Sequence, residues 1–259
     1  MFYREYPPHP GLAAHVECVW AARAPGFAHA HRVLPDNCVD ILWQDAGQPG
    51  FAVGMMSSAI LVASERPVRT LAVRFKPGMA GLFLATPLHA ITDQRADIDL
   101  LWGGSDADRL NDALWDGDAP ERARLALIEQ ELLRRLRAAS DGDVPRGAPL
   151  VQQALRALDA SGGALRVEEL AAQLRVSRQH LAAQFREHVG LSPKLYARIC
   201  RFRQATAAIR AAPTPASAPE WAQLALECGY FDQSHLIHDF QELAATTPER
   251  FHFSNQSIA

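Results

Sequence analysis

The sequence predicts an α+β chain. A mostly antiparallel β barrel or sandwich with trailing helices comes first, then an all-α region of about seven helices. Three observations predict it. Short apolar or alternating runs, separated by Pro, Gly and Asn breaks, fill residues 1 to about 100. Apolar residues at helical spacing dominate the remainder. One helix–turn–helix pattern also occurs twice near the end, and an internal repeat is a statement about architecture.

The strands are Val16–Trp20, Val39–Trp43, Ala59–Ala63 and Val68–Phe75. In the last, Leu71, Val73 and Phe75 share one face and Thr70, Ala72 and Arg74 the other. Lys76-Pro77-Gly78 stops it. Such strands are expected to enclose a hollow. Pro35, Asp36, Asn37, Trp43 and Arg74 are the candidate ligand-binding residues, because an aromatic wall with a few polar groups suits a small molecule. The competing reading makes Trp43 plain core and pairs Arg74 with Asp36 or Asp40.

Helices follow. Asp106–Leu114 is short, and Ala119-Pro120-Glu121 opens a longer one with Pro near its first position and an acid in its first turn. Its Leu125, Ile128, Leu132, Leu133 and Leu136 form one stripe, read as core packing and as a candidate dimer seam. Residues 140–149, rich in Asp, Gly and Pro, read as a linker. They divide the chain into a regulatory domain, 1–139, and a helical domain, 150–259. Within the latter, helices are expected over Leu150–Ser161, Val167–Leu174, Ser177–Val189 and Pro193–Ala211. The Pro-rich segment 212–219 interrupts, and Ser217 with Glu220 forms a capping box for the next helix. Asp232 starts another, and Thr247-Pro248 the last.

His180-Leu181, Phe185, Ser192 and Pro193 precede His235-Leu236, Phe240, Thr247 and Pro248 by 55 residues. Leu170-Ala171 precede Leu224-Ala225 by only 54, so the second turn holds one extra residue. Two copies are too few for a solenoid and suit a tandem reader of duplex DNA.

The motifs Val167-Glu168-Glu169-Leu170-Ala171, Gly190-Leu191-Ser192-Pro193, Cys228-Gly229-Tyr230 and Asp232-Gln233-Ser234-His235-Leu236 carry a resemblance. In them the C-terminal hundred residues resemble the AraC/XylS-type transcriptional regulators. The resemblance implies two helix-turn-helix units joined by one long helix, binding DNA in a one-component regulator. Leu34–Asp40 and Val73–Gly78 resemble a sensor-like domain that often precedes this module. Asn37 stands where that domain usually has glycine, and Asn also tolerates a left-handed turn.

The connecting helix of about nineteen residues spans about 28 Å at 1.5 Å per residue. One turn of B-DNA is about 34 Å, so such a rod can serve successive major grooves. Recognition-helix N-termini face base edges, which selects Ser177, Arg178, Gln179 and Ala182 in the first unit. It selects Asp232, Gln233, Ser234 and His238 in the second. For Ser177 and Asp232, helix capping is the favoured role. The whole chain carries −3, but Arg175–Arg210 holds eight basic residues against Glu187, a net +7. That stretch supplies Arg186, Arg198 and Arg201 as phosphate candidates. Relatives often have Arg two positions before the repeated Phe, where Ala183 and His238 stand here. Ala245 replaces the glycine that Gly190 supplies in the first unit, so a looser turn is expected there.

Four scattered cysteines without a C-x-x-C pair suit a reducing compartment. No signal peptide or membrane span is evident, which predicts a cytoplasmic protein. No phosphate loop, nucleophile elbow or H-E-x-x-H motif occurs, so no catalytic residue, metal or cofactor is predicted. Two alternatives stand beside the regulator. One is a metal-dependent or cysteine-based enzyme or sensor using His29, His31 or Cys38; the other is a protein-interaction module with weakened DNA binding. The expected partners are double-stranded DNA and a small-molecule effector. RNA polymerase and a second copy of the chain are further candidates.

Overall fold

The computed structural model describes residues 2–26, 30–140, 148–211 and 219–254. Eight strands come first: β1 Phe2–Tyr6, β2 Val16–Ala24, β3 His31–Val33, β4 Val39–Gln44, β5 Phe51–Val53, β6 Ile60–Val62, β7 Val68–Phe75 and β8 Arg95–Asp97. Six form an antiparallel sheet in the order β1-β2-β7-β4-β5-β8, and β3 and β6 pair separately. The four expected strands are all present. Those the sequence did not announce are short or lie at an edge, where few side chains are buried.

The best-predicted strand, β7, sits between β2 and β4. Val73 lies opposite Val19 on one side and Ile41 on the other. Leu71, Val73 and Phe75 face the main core; Ala72 turns to a smaller cluster with Cys18, Trp20 and Ala22. Both faces of this strand are therefore covered near its centre.

Four α-helices are described with them, α1 Gly81–Leu84 between β7 and β8, and then α2 Ile98–Trp102, α3 Gly104–Trp115 and α4 Glu121–Ser140. In the α4 stripe, Leu125, Ile128 and Leu132 are fully buried, and Leu133 and Leu136 pack partly against the same core. The stripe is core packing, which removes the candidate dimer seam.

Seven further helices are described: α5 Ala148–Ala160, α6 Val167–Gln173, α7 Arg178–His188, α8 Pro193–Ala211, α9 Trp221–Glu227, α10 Gln233–Ala244 and α11 Pro248–Ser254. The Ser192 hydroxyl accepts from the Leu195 N–H at 3.2 Å and caps α8. Residues 141–147 of the expected linker, the interruption at 212–218 with Ser217, and His29 lie outside the described residues. The apolar core runs without a break from Val19, Ile41 and Phe75 to Phe185, Phe202 and Phe240.

Candidate nucleic-acid interface

The two helix-turn-helix units are built alike. In α6–α7 the chain reverses at Arg175, whose φ is +56°, and the Val176 N–H reaches the Ala171 carbonyl at 3.0 Å. In α9–α10 it reverses at Gly229, φ +76°, and the Tyr230 N–H reaches the Ala225 carbonyl at 2.9 Å. The Ser177 hydroxyl accepts from the His180 N–H at 3.1 Å, and the Asp232 carboxylate from the His235 N–H at 2.8 Å. Arg175 therefore answers Gly229, Val176 answers Tyr230 and Ser177 answers Asp232. The extra residue is Phe231, 86% exposed.

Aromatic rings fix both units on the α8 rod. Phe185 of α7 meets Tyr196 edge-on at 5.8 Å, and Phe240 of α10 meets Phe202 at 4.9 Å. The repeated phenylalanine thus does the same packing in each copy. At the far end of α7, Gly190 takes φ +95°. At the matching end of α10, Ala245 takes φ +50° and ψ +36°. The expected looser turn is not what forms: Ala245 adopts the left-handed conformation that favours glycine, and its N–H reaches the Gln241 carbonyl at 3.1 Å.

The predicted reading residues fall into two groups. Arg178, Gln179, Arg186, Gln233, Ser234 and His238 are exposed, and Ala182 is half-buried. Arg178 lies 3.1 Å from Glu168, an exposed pair of the kind that contributes little and is readily exchanged. Arg198 and Arg201 are instead used within the helical region. Arg198 grips Asp239 with two nitrogens, at 2.7 and 3.0 Å, and also pairs with Glu242, tying α8 to α10. Arg201 donates to the Gly163 carbonyl at 2.6 Å and lies over the Tyr230 ring. Ser177 and Asp232 act as caps, the role favoured for them.

Charge is unevenly placed: α6–α7 hold Arg175, Arg178 and Arg186 against Glu168, Glu169 and Glu187, a net 0, and the α8 rod adds five cations and no acid. Residues 148–211 hold ten Lys and Arg against four acids, a net +6. Residues 219–254 hold Glu220, Glu227, Asp232, Asp239, Glu242 and Glu249 against Arg250 alone, a net −5. Among the described residues one group of three metal-capable side chains forms, His238, Asp239 and Glu242. The Arg198 guanidinium already occupies its two carboxylates.

The strand-rich region touches both units at the ends away from the reading residues. The Thr92 hydroxyl donates to the Gly190 carbonyl at 2.8 Å, and the Ala59 N–H to the Leu243 carbonyl at 2.8 Å. Between them Asn37, 1% exposed and at φ +63°, donates to the Tyr196 carbonyl of α8 at 3.2 Å. A side chain at 190 would put its Cβ 2.8 Å from the Thr92 hydroxyl and 3.0 Å from the Leu88 carbonyl.

The five ligand candidates do not gather around a cavity. Trp43 is fully buried with its ring centre 6.0 Å from that of Trp102. Arg74 pairs with Asp40 at 3.1 Å and Asp36 at 3.4 Å. Burial raises the Asp40 carboxyl to about 6, against the pull of Arg74. Asn37 and Pro35 are buried, Asn37 against α8. Two clefts lie elsewhere, on either side of Trp115. One, of about 670 Å³, is lined by Asp45, Arg69, Asn111, Asp112, Trp115 and Asp116. The other, of about 320 Å³, lies between β2, β7 and the start of α4. Burial raises all four thiols, Cys18 and Cys200 to about 12, which favours the unreactive protonated form.

Sequence reasoning missed Phe231 and Thr92. The change of offset from 55 to 54 signalled that a residue is inserted; only the turn hydrogen bonds identify which. Thr92 had no signal.

Residues 170–252 match the family model described as a helix-turn-helix domain, and residues 4–97 match one described as a domain of unknown function. With the geometry above, the class is a helix-turn-helix DNA-binding protein. Residues 170–252 are a helix-turn-helix domain, the module whose motifs resemble those of the AraC-type regulators. No curated protein sequence matches the chain. Among solved structures, ToxT from Vibrio cholerae is similar at 11% identity and a TM-score of 0.45, covering 91% of this chain and 97% of ToxT. ToxT bound to (E)-4-(8-methylnaphthalen-1-yl)but-3-enoic acid is similar at 10% identity and 0.45. These cover 90% of this chain and 97% of that one. A xylose-binding transcription activator, XylR, is similar at 18% identity and 0.34, over 51% of this chain and 38% of XylR. Similarities of this size establish no shared function. No helix among the described residues is long and apolar enough to cross a membrane.

Proposed function

We propose that the chain is an effector-controlled, cytoplasmic regulator in which residues 1–139 sense a small molecule and 150–259 read DNA. Arg178 and Gln179 read bases from α7, and Gln233 and Ser234 read them from α10. Arg186, with other cations of the +6 region, holds phosphates; Arg198 and Arg201 act by positioning α8 against its neighbours. One observation carries the reading. The strand-rich region docks on the far ends of both units and on the rod between them, through Thr92, Ala59 and Asn37, while the reading ends stay exposed. A ligand that favours one docked arrangement thereby changes how the far ends of both units are held against the rod, and only such a difference in affinity can shift the equilibrium.

The clefts beside Trp115 have the size of small-molecule sites. In the larger one Arg69 and Asp45 pair at 2.7 Å, which leaves the carboxylates of Asp112 and Asp116 unbalanced by a cation of the lining. This balance favours a cationic effector. A second copy of the chain and RNA polymerase are further partners on the promoter.

The test has two parts. DNA affinity of the full chain should fall roughly a hundredfold between low and physiological salt. A thermal-shift screen of small amines should then yield a compound that stabilises the full chain, fails to stabilise Trp115→Ala, and alters operator affinity. A salt-independent interaction would remove the phosphate reading. A bound amine without effect on DNA affinity or transcription would remove the sensor.

A further inference from the structure

The second helix-turn-helix unit has few ionic means of holding a duplex. Its region carries −5, and its one arginine, Arg250, lies on α11 rather than on the recognition helix. Yet the rod that positions α7 also positions α10, with its N-terminus exposed. Whatever holds α10 in a groove must be largely uncharged.

We propose that Phe231 supplies that contact, its ring resting on the C5-methyl group of a thymine beside the base pair that Gln233 reads. The inference rests on the DNA-binding reading above. Phe231 comes directly before the N-cap Asp232, at the end of α10 that enters a major groove. Its ring is 86% exposed and stacks on no other ring among the described residues. Leu226, 60% exposed, is a second uncovered apolar residue, in the last turn of α9. The first unit has no equivalent: its turn carries Arg175 and Arg178, and Val176 is half-buried.

The thymine methyl is the apolar group that the major groove offers, and Phe is among the side chains suited to it. Gln suits adenine by two hydrogen bonds. The second half-site is therefore read as A·T-containing sequence, by an apolar contact next to a neutral polar one. Asp232 does not oppose this strongly, because its carboxylate accepts from the His235 N–H. Asp239 and Glu242 are offset by Arg198. An exposed phenylalanine could instead meet a protein. Its place at the groove-entering end of a recognition helix favours DNA.

The experiment uses the full chain and the site it selects from random duplex. Each thymine is replaced in turn by deoxyuridine, which removes only the methyl group. Wild type should lose about fourfold at one or two positions in the half affected by Gln233→Ala, the worth of one buried methyl. Phe231→Ala should bind the unmodified site about five- to tenfold more weakly. It should then be indifferent to the same replacement, with Phe231→Leu intermediate. The proposal fails if wild type ignores every thymine methyl in that half. It also fails if Phe231→Ala binds as tightly as wild type; lost transcription at unchanged affinity would then assign the ring to a protein. Selection of no site at all would overturn the DNA-binding reading itself, a result distinct from a selected site without methyl sensitivity.

Discussion

The two helix-turn-helix units share one backbone plan and differ in nearly every property that matters to DNA. Both close their turns with the same two hydrogen bonds, and both pack the repeated phenylalanine on α8. Yet α6–α7 sum to 0, with Arg175, Arg178 and Arg186 exposed, while α9–α10 sum to −4 without a single Lys or Arg. The first has Arg175 in a left-handed turn where the second has Gly229. The first ends on Gly190, pressed against Thr92 and Leu88, where the second ends on Ala245. Fold and packing are therefore held in common, while the surface chemistry differs. On the proposed reading, the exposed Arg175, Arg178 and Arg186 let the first unit anchor the backbone, and the second, without a cation of its own, adds selectivity.

The largest expected effect breaks this comparison at the charges. Arg178→Ala combined with Arg186→Ala should weaken operator binding about a hundredfold and reduce the salt slope by about one, the share of Arg186. Gln233→Ala combined with Ser234→Ala should weaken binding less and leave the slope unchanged. Fluorescence anisotropy over a salt series reads both. Equal slopes for the two double variants would mean that the units grip phosphates alike.

A smaller effect concerns the far ends. Gly190→Ala should lower unfolding stability by about 2–3 kcal/mol, because a left-handed φ is unfavourable for alanine and its Cβ would press on Thr92. Adding Thr92→Ala, which removes the hydroxyl in the way, should recover part of that loss. Denaturant titration of the single and double variants checks it. Strict additivity would show that the two residues do not meet.

The smallest effects come from exchanging residue types between the units. Arg175→Gly and Ala245→Gly each relieve a left-handed non-glycine residue and should stabilise the chain by about 1 kcal/mol. They should differ in binding: Arg175→Gly removes a cation from the anchoring unit, whereas Ala245→Gly is neutral. Thermal unfolding and a salt titration separate the two consequences.

The helical half was legible because its signals are strong and local. Long apolar periodicity, Ser192-Pro193, Ser177, Asp232 and the doubled motif mark helix starts and a repeat without reference to the rest of the chain. Strand β7 was equally plain, being eight residues long and buried at its centre. Three-residue strands such as β3, β5 and β8 carry too few side chains to show alternation. The candidate site was legible in position but less so in use. Nothing local distinguishes Arg178, which is exposed, from Arg198, which Asp239 holds from 41 residues away. Asn37 was noticed for its left-handed backbone, which it has, but its partner on α8 is 159 residues distant. Long-range pairing decides whether a polar residue faces solvent, a cavity or another helix, and a single sequence does not encode that pairing in any short pattern.

On the proposed reading one rigid α8 rod delivers two recognition helices to separate places on one duplex. Binding-site selection with wild type, Arg178→Ala and Gln233→Ala tests it most directly. Arg178→Ala should lose preference at one base pair and Gln233→Ala at another, about one helical turn away, each by about 1–3 kcal/mol. If both variants bind more weakly but keep the wild-type preference at every position, neither side chain reads a base and the account of two reading units is wrong.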